Sequence, residues 1–317
     1  MPSGRFAPTP SGDLHLGNLR TALVAWLRAR SLGGAFLVRL EDLDRGSVRP
    51  WFYGRQLDQL RAIGIDWDGP VLRQSERLDL YRAAIATLTE GGHIYPCYCT
   101  RREVLEAAVA PNGGLPPGGY PGTCRTLTSR QRAAFEAEGR RPALRVRAAG
   151  TRIGFDDRFC GWFDGTVDDF VVQRNDGTPA YNLAVVVDDV DQAVHEVVRG
   201  DDLLDSTPRQ IHLARLLGLE PPEYAHIPLV LGPDGSRLAK RHGAVTLDDL
   251  QTLGASPAAV RGRLAESLGL VEPGEVGHDL DLDVLVRRFT FPRLPRRPLV
   301  LRSVAHAGQA SSDRQGE

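Results

Sequence analysis

Two distant segments carry residue types suited to phosphate chemistry. The first is a turn near the N-terminus, where His15 is followed closely by Gly17 and Asn18. The second is a short polar stretch around Lys240, the only lysine among the 39 Lys and Arg residues. An imidazole can donate to a phosphate oxygen, and an ammonium on a flexible stem can meet a phosphate as a point charge. Either residue alone could be an ordinary surface side chain, but together they predict a nucleotide site.

The histidine turn lies in a predicted strand–helix–strand unit. Residues 5–7 form a short apolar strand candidate, apolar side chains recur at helical spacing over 18–30, and 35–40 is a second strand candidate. Two strands joined by a helix imply a parallel sheet, which binds ligands where a strand gives way to a helix. There the helix N-terminus presents amides to phosphate. The predicted fold class is α/β, with a Rossmann-like doubly wound parallel sheet.

The alternation of helices and strands is interrupted after residue 96. The interrupting stretch holds cysteines, a Gly/Pro-rich run and an arginine-rich helix candidate over 129–139, so we interpret it as an insertion. The predicted organisation is a catalytic domain split over 1–96 and 161–245, an insertion over 97–160, a helical segment over 246–270, and a Pro/Arg-rich, partly disordered tail over 271–317. Helices are also expected over 54–64, 77–90, from 205 and over 258–268, and short strands over 169–172, 183–187, 195–199 and 227–231.

The composition is ordinary for a soluble globular protein, with 42% hydrophobic and 25% charged residues. No apolar run approaches the roughly 20 residues that span a bilayer, and the N-terminus has no apolar signal region. Four cysteines are too few for a disulfide scaffold, so we expect a cytoplasmic protein. Because the net charge is −1, any nucleic-acid contact must come from a local arginine-rich face.

Longer motifs around both segments resemble a known enzyme family. The turn from Pro8 to Asn18 is similar to the HIGH signature of class I aminoacyl-tRNA synthetases, and residues 237–241 resemble their KMSKS loop. Four further stretches resemble glutamyl-tRNA synthetases, namely residues 5–12, 39–44, 97–101 and 198–204. Several ordered motifs are far more specific than one short motif, and the resemblance covers residues 3–245.

The position of the C-terminus distinguishes between relatives. Complete glutamyl-tRNA synthetases continue past the KMSKS loop into a large helical anticodon-binding region, whereas this sequence ends at Glu317. It therefore resembles the glutamyl-Q tRNA(Asp) synthetases. That resemblance implies a ligase that activates L-glutamate with ATP and magnesium and transfers it to the queuosine base of tRNA(Asp). It also implies the anticodon stem-loop as the RNA partner, and we expect a monomer.

The resemblance also assigns roles to single residues. For ATP it implies His15, Gly17, Asn18, Arg237 and Lys240, with His15, Asn18 and Lys240 as the catalytic candidates; Ala239 stands where the KMSKS loop usually has serine. For glutamate it implies arginines for the carboxylates, an acid for the ammonium and residues that line the pocket, namely Arg5, Phe6, Ala7, Pro8, Thr9, Glu41, Tyr181 and Arg199. Without the resemblance, the arginines would be assigned to ordinary ion pairs.

A candidate metal site in the insertion has the family's Cys-x-Cys and Tyr-x3-Cys pattern, formed by Cys97, Cys99, Tyr120 and Cys124. Three thiolates suit zinc, and four ligands would close a structural tetrahedral site for one ion. Tyrosine is an unusual ligand, so His93 or water is an alternative, and so are reduced cysteines without metal. Cys160 is expected to be a small buried hydrophobe.

Two other functions stay open from the sequence. One is a shortened glutamyl-tRNA synthetase that charges a tRNA 3′ end, and the other is a non-catalytic, RNA-binding synthetase paralogue. The intact His15, Glu41 and Lys240 argue against the second. Arginines of the insertion are candidates for RNA backbone contacts or for a solvated helix face, namely Arg125, Arg130, Arg132, Arg140, Arg141, Arg145 and Arg147.

Overall fold

A computed structural model describes residues 2–108, 119–238, 245–277 and 280–301. The chain divides into two compact units. The first unit contains Met1–Arg73, His195–Asp202 and Tyr224–Glu317, and the second contains Gln74–Val194 and Leu203–Glu223. The boundaries of these units differ from the insertion boundaries expected from the sequence. The expected insertion boundaries stay a prediction.

The strands are β1 Ser3–Phe6, β2 Ala35–Leu40, β3 Leu72–Arg73, β4 Ile94–Cys97, β5 Ala143–Val146, β6 Arg152–Asp157, β7 Gly161–Thr166, β8 Val171–Gln173, β9 Glu196–Gly200, β10 Glu223–Ile227, β11 Val230–Leu231 and β12 Leu299–Val300. The α-helices are α1 Leu16–Ser31, α2 Trp51–Ala62, α3 Leu78–Glu90, α4 Arg101–Ala108, α5 Ser129–Ala137, α6 Tyr181–Asp191, α7 Thr207–Leu216, α8 Leu247–Thr252, α9 Pro257–Ser267 and α10 Leu282–Arg288. Short 3-10 helices among the described residues include Gln74–Glu76, Asp201–Ser206 and Phe291–Arg293.

The first unit contains the predicted strand–helix–strand arrangement. β1 pairs with β2 in parallel, from Ser3 opposite Ala35 onward, and β2 pairs with β3 in parallel. The connecting helix α1 buries Leu19, Leu23 and Leu27 completely, because these side chains recur on one face of the helix. The expectation of an α/β fold with a parallel sheet is therefore confirmed.

β9 returns to the first unit beside β1. The backbone amide of His195, just before β9, donates to the carbonyl of Ser3 at 2.9 Å. β9 is in turn hydrogen-bonded to β10. As a result, Arg5 on β1 and Arg199 on β9 come from neighbouring strands, although 194 positions separate them in the sequence.

The second unit combines antiparallel strands with helices α3, α6 and α7. β5 lies between β4 and β8 and is antiparallel to both, while β6 and β7 form an antiparallel hairpin. The fully buried Asp188 of α6 accepts from Arg77 Nε at 2.8 Å and from the Tyr81 hydroxyl at 2.8 Å. This buried ion pair and hydrogen bond join α3 to α6.

Three expectations from the sequence need correction. The apolar run 183–187 is part of the helix α6 and not a strand. Because Leu183 to Val186 are all buried, the run has no polar positions that would mark it as a helix. The strand expected over 227–231 is divided into β10 and β11 on either side of Pro228. Cys160 is exposed and not buried.

The C-terminal part contains structure that its weak periodicity does not predict. α10 and β12 lie between residues 280 and 301, and β12 pairs in parallel with β11. The disorder expected for residues 308–317 falls outside the described residues. Within the described part of the chain, helices fall short of the length and apolar character needed to cross a membrane.

Candidate functional site

The predicted nucleotide site begins at a capped helix N-terminus in the first unit. His15 is the N-cap of α1: its Nδ1 accepts from the Asn18 amide at 3.2 Å, while Asn18 Oδ1 accepts from the His15 amide at 3.3 Å. This reciprocal capping box orients the imidazole and satisfies two backbone donors. A Cβ at Gly17 would lie 3.0 Å from the imidazole ring, so the glycine leaves room for this arrangement.

Two glutamines of α2 form hydrogen bonds with the histidine turn. Gln56 Nε2 donates to the carbonyls of Thr9 and Gly12 at 3.0 and 2.7 Å. Gln59 accepts from the Leu14 amide at 2.9 Å and donates to Asp13 at 3.0 Å. Both glutamines are at least 96% buried. The sequence motifs do not include these glutamines, because their partners lie more than 40 residues away. The available signal was a pair of buried polar residues three positions apart on a helix.

The described chain resumes after the KMSKS-like loop next to the histidine turn. Lys240 and Ala239 lie outside the described residues. After them, the carbonyl of Val245 accepts from the Leu16 amide at 2.9 Å, and Thr246 forms a β-bridge with His15. The segment that follows the loop is therefore anchored directly on the capped turn.

Arg237 marks the start of the same loop. It forms a β-bridge with Leu231, and its guanidinium pairs with the carboxylate of Asp202. The Arg237 side chain is 68% exposed and that of Asp202 is 15% exposed. The pair links the loop to the segment that follows β9, and it leaves most of the Arg237 side chain accessible to a ligand.

The candidate glutamate residues of the first unit lie at the ends of β1, β2 and β9. Arg5 is buried, and its Nη1 donates to the carbonyl of Val198 at 3.5 Å. The Glu41 amide donates to the carbonyl of Pro8 at 3.0 Å, which holds the segment after β1 against the end of β2. The Glu41 carboxylate accepts from the fully buried Arg39 at 3.4 Å.

The remaining lining candidates follow directly on β1 or lie in the second unit. Phe6 and Pro8 are buried, Ala7 is half-buried and Thr9 is exposed. Tyr181 is the first residue of α6 in the second unit, and its side chain is 41% exposed.

The candidate metal ligands come together in the second unit. The Sγ atoms of Cys97, Cys99 and Cys124 all lie within 4.8 Å of one another. The Tyr120 hydroxyl lies 3.3 Å from the Sγ of Cys97 and 3.5 Å from that of Cys99. The hydrogen bond with Cys97 lowers the pKa of Cys124 to about 6. The predicted four-residue set is thus assembled among the described residues.

Tyr120 is held in place by residues that its sequence pattern does not reveal. Its backbone amide donates to Asp168 at 3.0 Å, and Asp168 also accepts from Arg209 at 2.6 Å. The Arg145 guanidinium lies 3.8 Å from the centre of the Tyr120 ring. His93, the alternative ligand, is not part of the metal-ligating cluster found among the described residues.

The arginines proposed for RNA contacts fall into two groups. Arg125 donates to Asp169 at 2.7 Å, Arg140 donates to Glu103 at 2.9 Å, and Arg145 is buried under Tyr120. These three already have partners within the second unit. The exposed members are Arg130, Arg141 and Arg147, and Arg132 is half-buried. Contacts of this set with RNA stay a prediction.

Comparison with known proteins defines the class of this protein. The family model described as the catalytic domain of class I tRNA synthetases (E and Q) matches residues 3–269. The chain therefore belongs to this family of class I tRNA synthetases. Its fold is similar to that of a glutamate tRNA ligase from Elizabethkingia meningosepticum crystallised with its amino acid, with a TM-score of 0.79 and 26% identity. The similarity covers 96% of this chain and 68% of that one.

Two individual relatives have a higher sequence identity to this chain than that solved structure has. The chain is 58% identical to the glutamyl-Q tRNA(Asp) synthetase of Nocardia farcinica, over 94% of this chain and 93% of that protein. It is 50% identical to the glutamyl-Q tRNA(Asp) synthetase of Symbiobacterium thermophilum, over 94% and 95% of the two chains. The family resemblance predicted from the sequence motifs is thereby confirmed. The roles of the individual site residues stay predictions.

Proposed function

We propose that this protein activates L-glutamate with ATP to glutamyl-adenylate and transfers the glutamyl group to the queuosine base in the anticodon loop of tRNA(Asp). The observation that carries this proposal is the 58% identity to a protein named for this reaction, over nearly the whole of both chains. The capped histidine turn supports the activation step, because it is a helix N-terminus equipped to bind phosphate.

In the proposed first step, the glutamate α-carboxylate attacks the α-phosphate of magnesium-bound ATP and pyrophosphate leaves. Because Nδ1 of His15 accepts from the Asn18 amide, the neutral imidazole carries its proton on Nε2 and can donate it to a phosphate oxygen. Gly17 and Asn18 shape the turn beneath the nucleotide. Lys240 and Arg237 are proposed to neutralise the charge that develops on the phosphates.

Glutamate is proposed to bind through charge-assisted hydrogen bonds. Arg5 and Arg199 are buried guanidinium groups on neighbouring strands, and each can receive a carboxylate. Glu41 is proposed to accept the α-ammonium, and the segment Phe6 to Thr9 is proposed to line the pocket. The family resemblance also assigns a hydroxyl contact to Tyr181. Glutamine would be rejected, because a neutral amide would leave a buried guanidinium without a counter-charge.

We further propose that one structural zinc ion is held by Cys97, Cys99 and Cys124, with Tyr120 as the fourth ligand. The donor set fits zinc, since three sulfur atoms and a hydroxyl lie close enough to face one ion. Zinc bound there would join Cys97 and Cys99 to Tyr120 and Cys124, on the two sides of the long segment between them. The chain's own contacts to Tyr120, from Asp168 and Arg145, would fix the orientation of that ligand.

The activation step is tested by glutamate-dependent exchange of labelled pyrophosphate into ATP, run without tRNA. The proposal predicts exchange with glutamate and none with glutamine. Exchange that requires tRNA would favour the shortened glutamyl-tRNA synthetase, since the resemblance implies that such enzymes generally need tRNA. Absence of exchange under either condition would favour the non-catalytic RNA-binding paralogue. We also propose that the protein is a cytoplasmic monomer. Sedimentation of the purified chain with tRNA(Asp) would measure the mass of the particle and so test the monomeric state.

A further inference from the structure

The guanidinium of Arg199 is clamped by two aromatic side chains of the adjacent strand. Its Nε donates to Nε2 of His226 at 3.0 Å. Its central carbon lies 5.2 Å from the centre of the Tyr224 ring. His226 is completely buried, and Arg199 and Tyr224 are at least 95% buried. All three residues belong to the first unit.

The clamp follows from the alternation of side chains along β10. Tyr224 and His226 are two positions apart, so they project from the same face of the strand. Their rings are stacked, with centres 6.1 Å apart and planes inclined by 16°. β10 is hydrogen-bonded to β9, which carries Arg199. The Tyr224 ring therefore packs on the face of the guanidinium, and the His226 ring accepts a hydrogen bond from its Nε edge.

The hydrogen bond defines the protonation state of His226. A guanidinium is a donor only, so Nε2 of His226 must offer its lone pair. The neutral ring therefore carries its proton on Nδ1, and a doubly protonated ring would lose the bond.

A guanidinium can bind a carboxylate bidentately through either of two edges. One edge presents Nη1 and Nη2, and the other presents Nε and one Nη. His226 occupies Nε of Arg199, so the second edge is not accessible to a ligand. We propose that His226 is a positioning residue for substrate: it confines a carboxylate of glutamate to the Nη1–Nη2 edge of Arg199 and fixes the plane in which that carboxylate binds. This inference rests on the proposed function, because it takes Arg199 to bind glutamate.

The test compares three variants of the full chain in the pyrophosphate exchange assay. His226→Leu removes the acceptor, and we expect it to raise the KM for glutamate by about 10- to 100-fold with little change in the KM for ATP. His226→Gln offers an amide oxygen near the position of Nε2, and we expect it to recover most of the lost affinity. His195→Leu makes the same substitution at an exposed position of the same unit and should leave both constants unchanged. Thermal melts compare the folding of all variants.

A second measurement does not depend on activity. In the ¹⁵N-histidine NMR spectrum, the signal that disappears in His226→Gln should show the Nδ1-protonated tautomer. An Nε2-protonated ring would overturn the inference, and so would a folded His226→Leu with the wild-type KM for glutamate. An equal rise in both KM values would also overturn it, because it would indicate a general structural role. If the wild-type protein showed no glutamate-dependent exchange, the proposed function would fail, whereas the tautomer would still decide the geometry of the clamp.

Discussion

Replacing Gln59 with leucine tests whether α2 positions the histidine turn. Leucine has a similar volume, but it removes the acceptor of the buried Leu14 amide and the donor to Asp13. An unpaired buried amide costs about 1–3 kcal/mol, and the second hydrogen bond contributes about 1 kcal/mol more. We therefore expect Gln59→Leu to lower the free energy of unfolding by about 2–4 kcal/mol.

The same substitution should affect catalysis out of proportion to stability. A displacement of about 1 Å in the groups that face the nucleotide can reduce the rate about 100-fold, so we expect a comparable loss in kcat/KM for ATP. Pyrophosphate exchange measures the rate, and urea unfolding measures the stability. Gln251→Leu on α8 is the matched control, because this glutamine is exposed, and it should change stability by less than about 0.5 kcal/mol. If Gln59→Leu behaved like this control in both assays, α2 would not support the turn as argued.

Three further predictions concern other parts of the protein. Lys240→Ala should abolish pyrophosphate exchange while the far-ultraviolet circular dichroism spectrum stays unchanged; wild-type exchange would exclude its role at the phosphates. Cys124→Ser should reduce bound zinc from one ion per chain to almost none by elemental analysis, whereas the exposed Cys160→Ser should retain it. Burial raises the pKa of Asp169, but hydrogen bonds from Arg125 and Tyr95 outweigh it and hold that pKa below its usual range. Its contribution to stability should therefore be complete above about pH 4 and decline at lower pH, and Asp169→Asn should weaken that decline in urea unfolding; an unchanged pH dependence would contradict the assignment.

Local sequence signals were sufficient for the first strand–helix–strand unit. Apolar side chains recur at helical spacing over 18–30, and the glycines at 33 and 34 mark the end of the helix, so α1 and β2 were predicted within a few residues. The capped turn between β1 and α1 was recognised for a similar reason, since its functional groups are contiguous in the sequence. The cysteine cluster was predicted through the family resemblance, which supplied the Cys-x-Cys and Tyr-x3-Cys pattern.

Features that depend on long-range contacts were not predictable in this way. The Val-rich run in α6 is buried on all sides, so its periodicity could not distinguish a helix from a strand. β12 is only two residues long and depends on its pairing with β11, 69 positions earlier. Gln59 and His226 act on partners in other elements, and neither residue belongs to a motif that indicates this role.

The acceptor of the glutamyl group tests the central claim most directly. Purified protein would be incubated with labelled glutamate, ATP and tRNA(Asp) either containing or lacking queuosine, and the tRNA would then be digested with a nuclease to locate the label. We predict that the label appears only with the modified tRNA and is found in the anticodon-loop fragment. Label at the 3′-terminal adenosine, or equal labelling of the unmodified tRNA, would contradict the account.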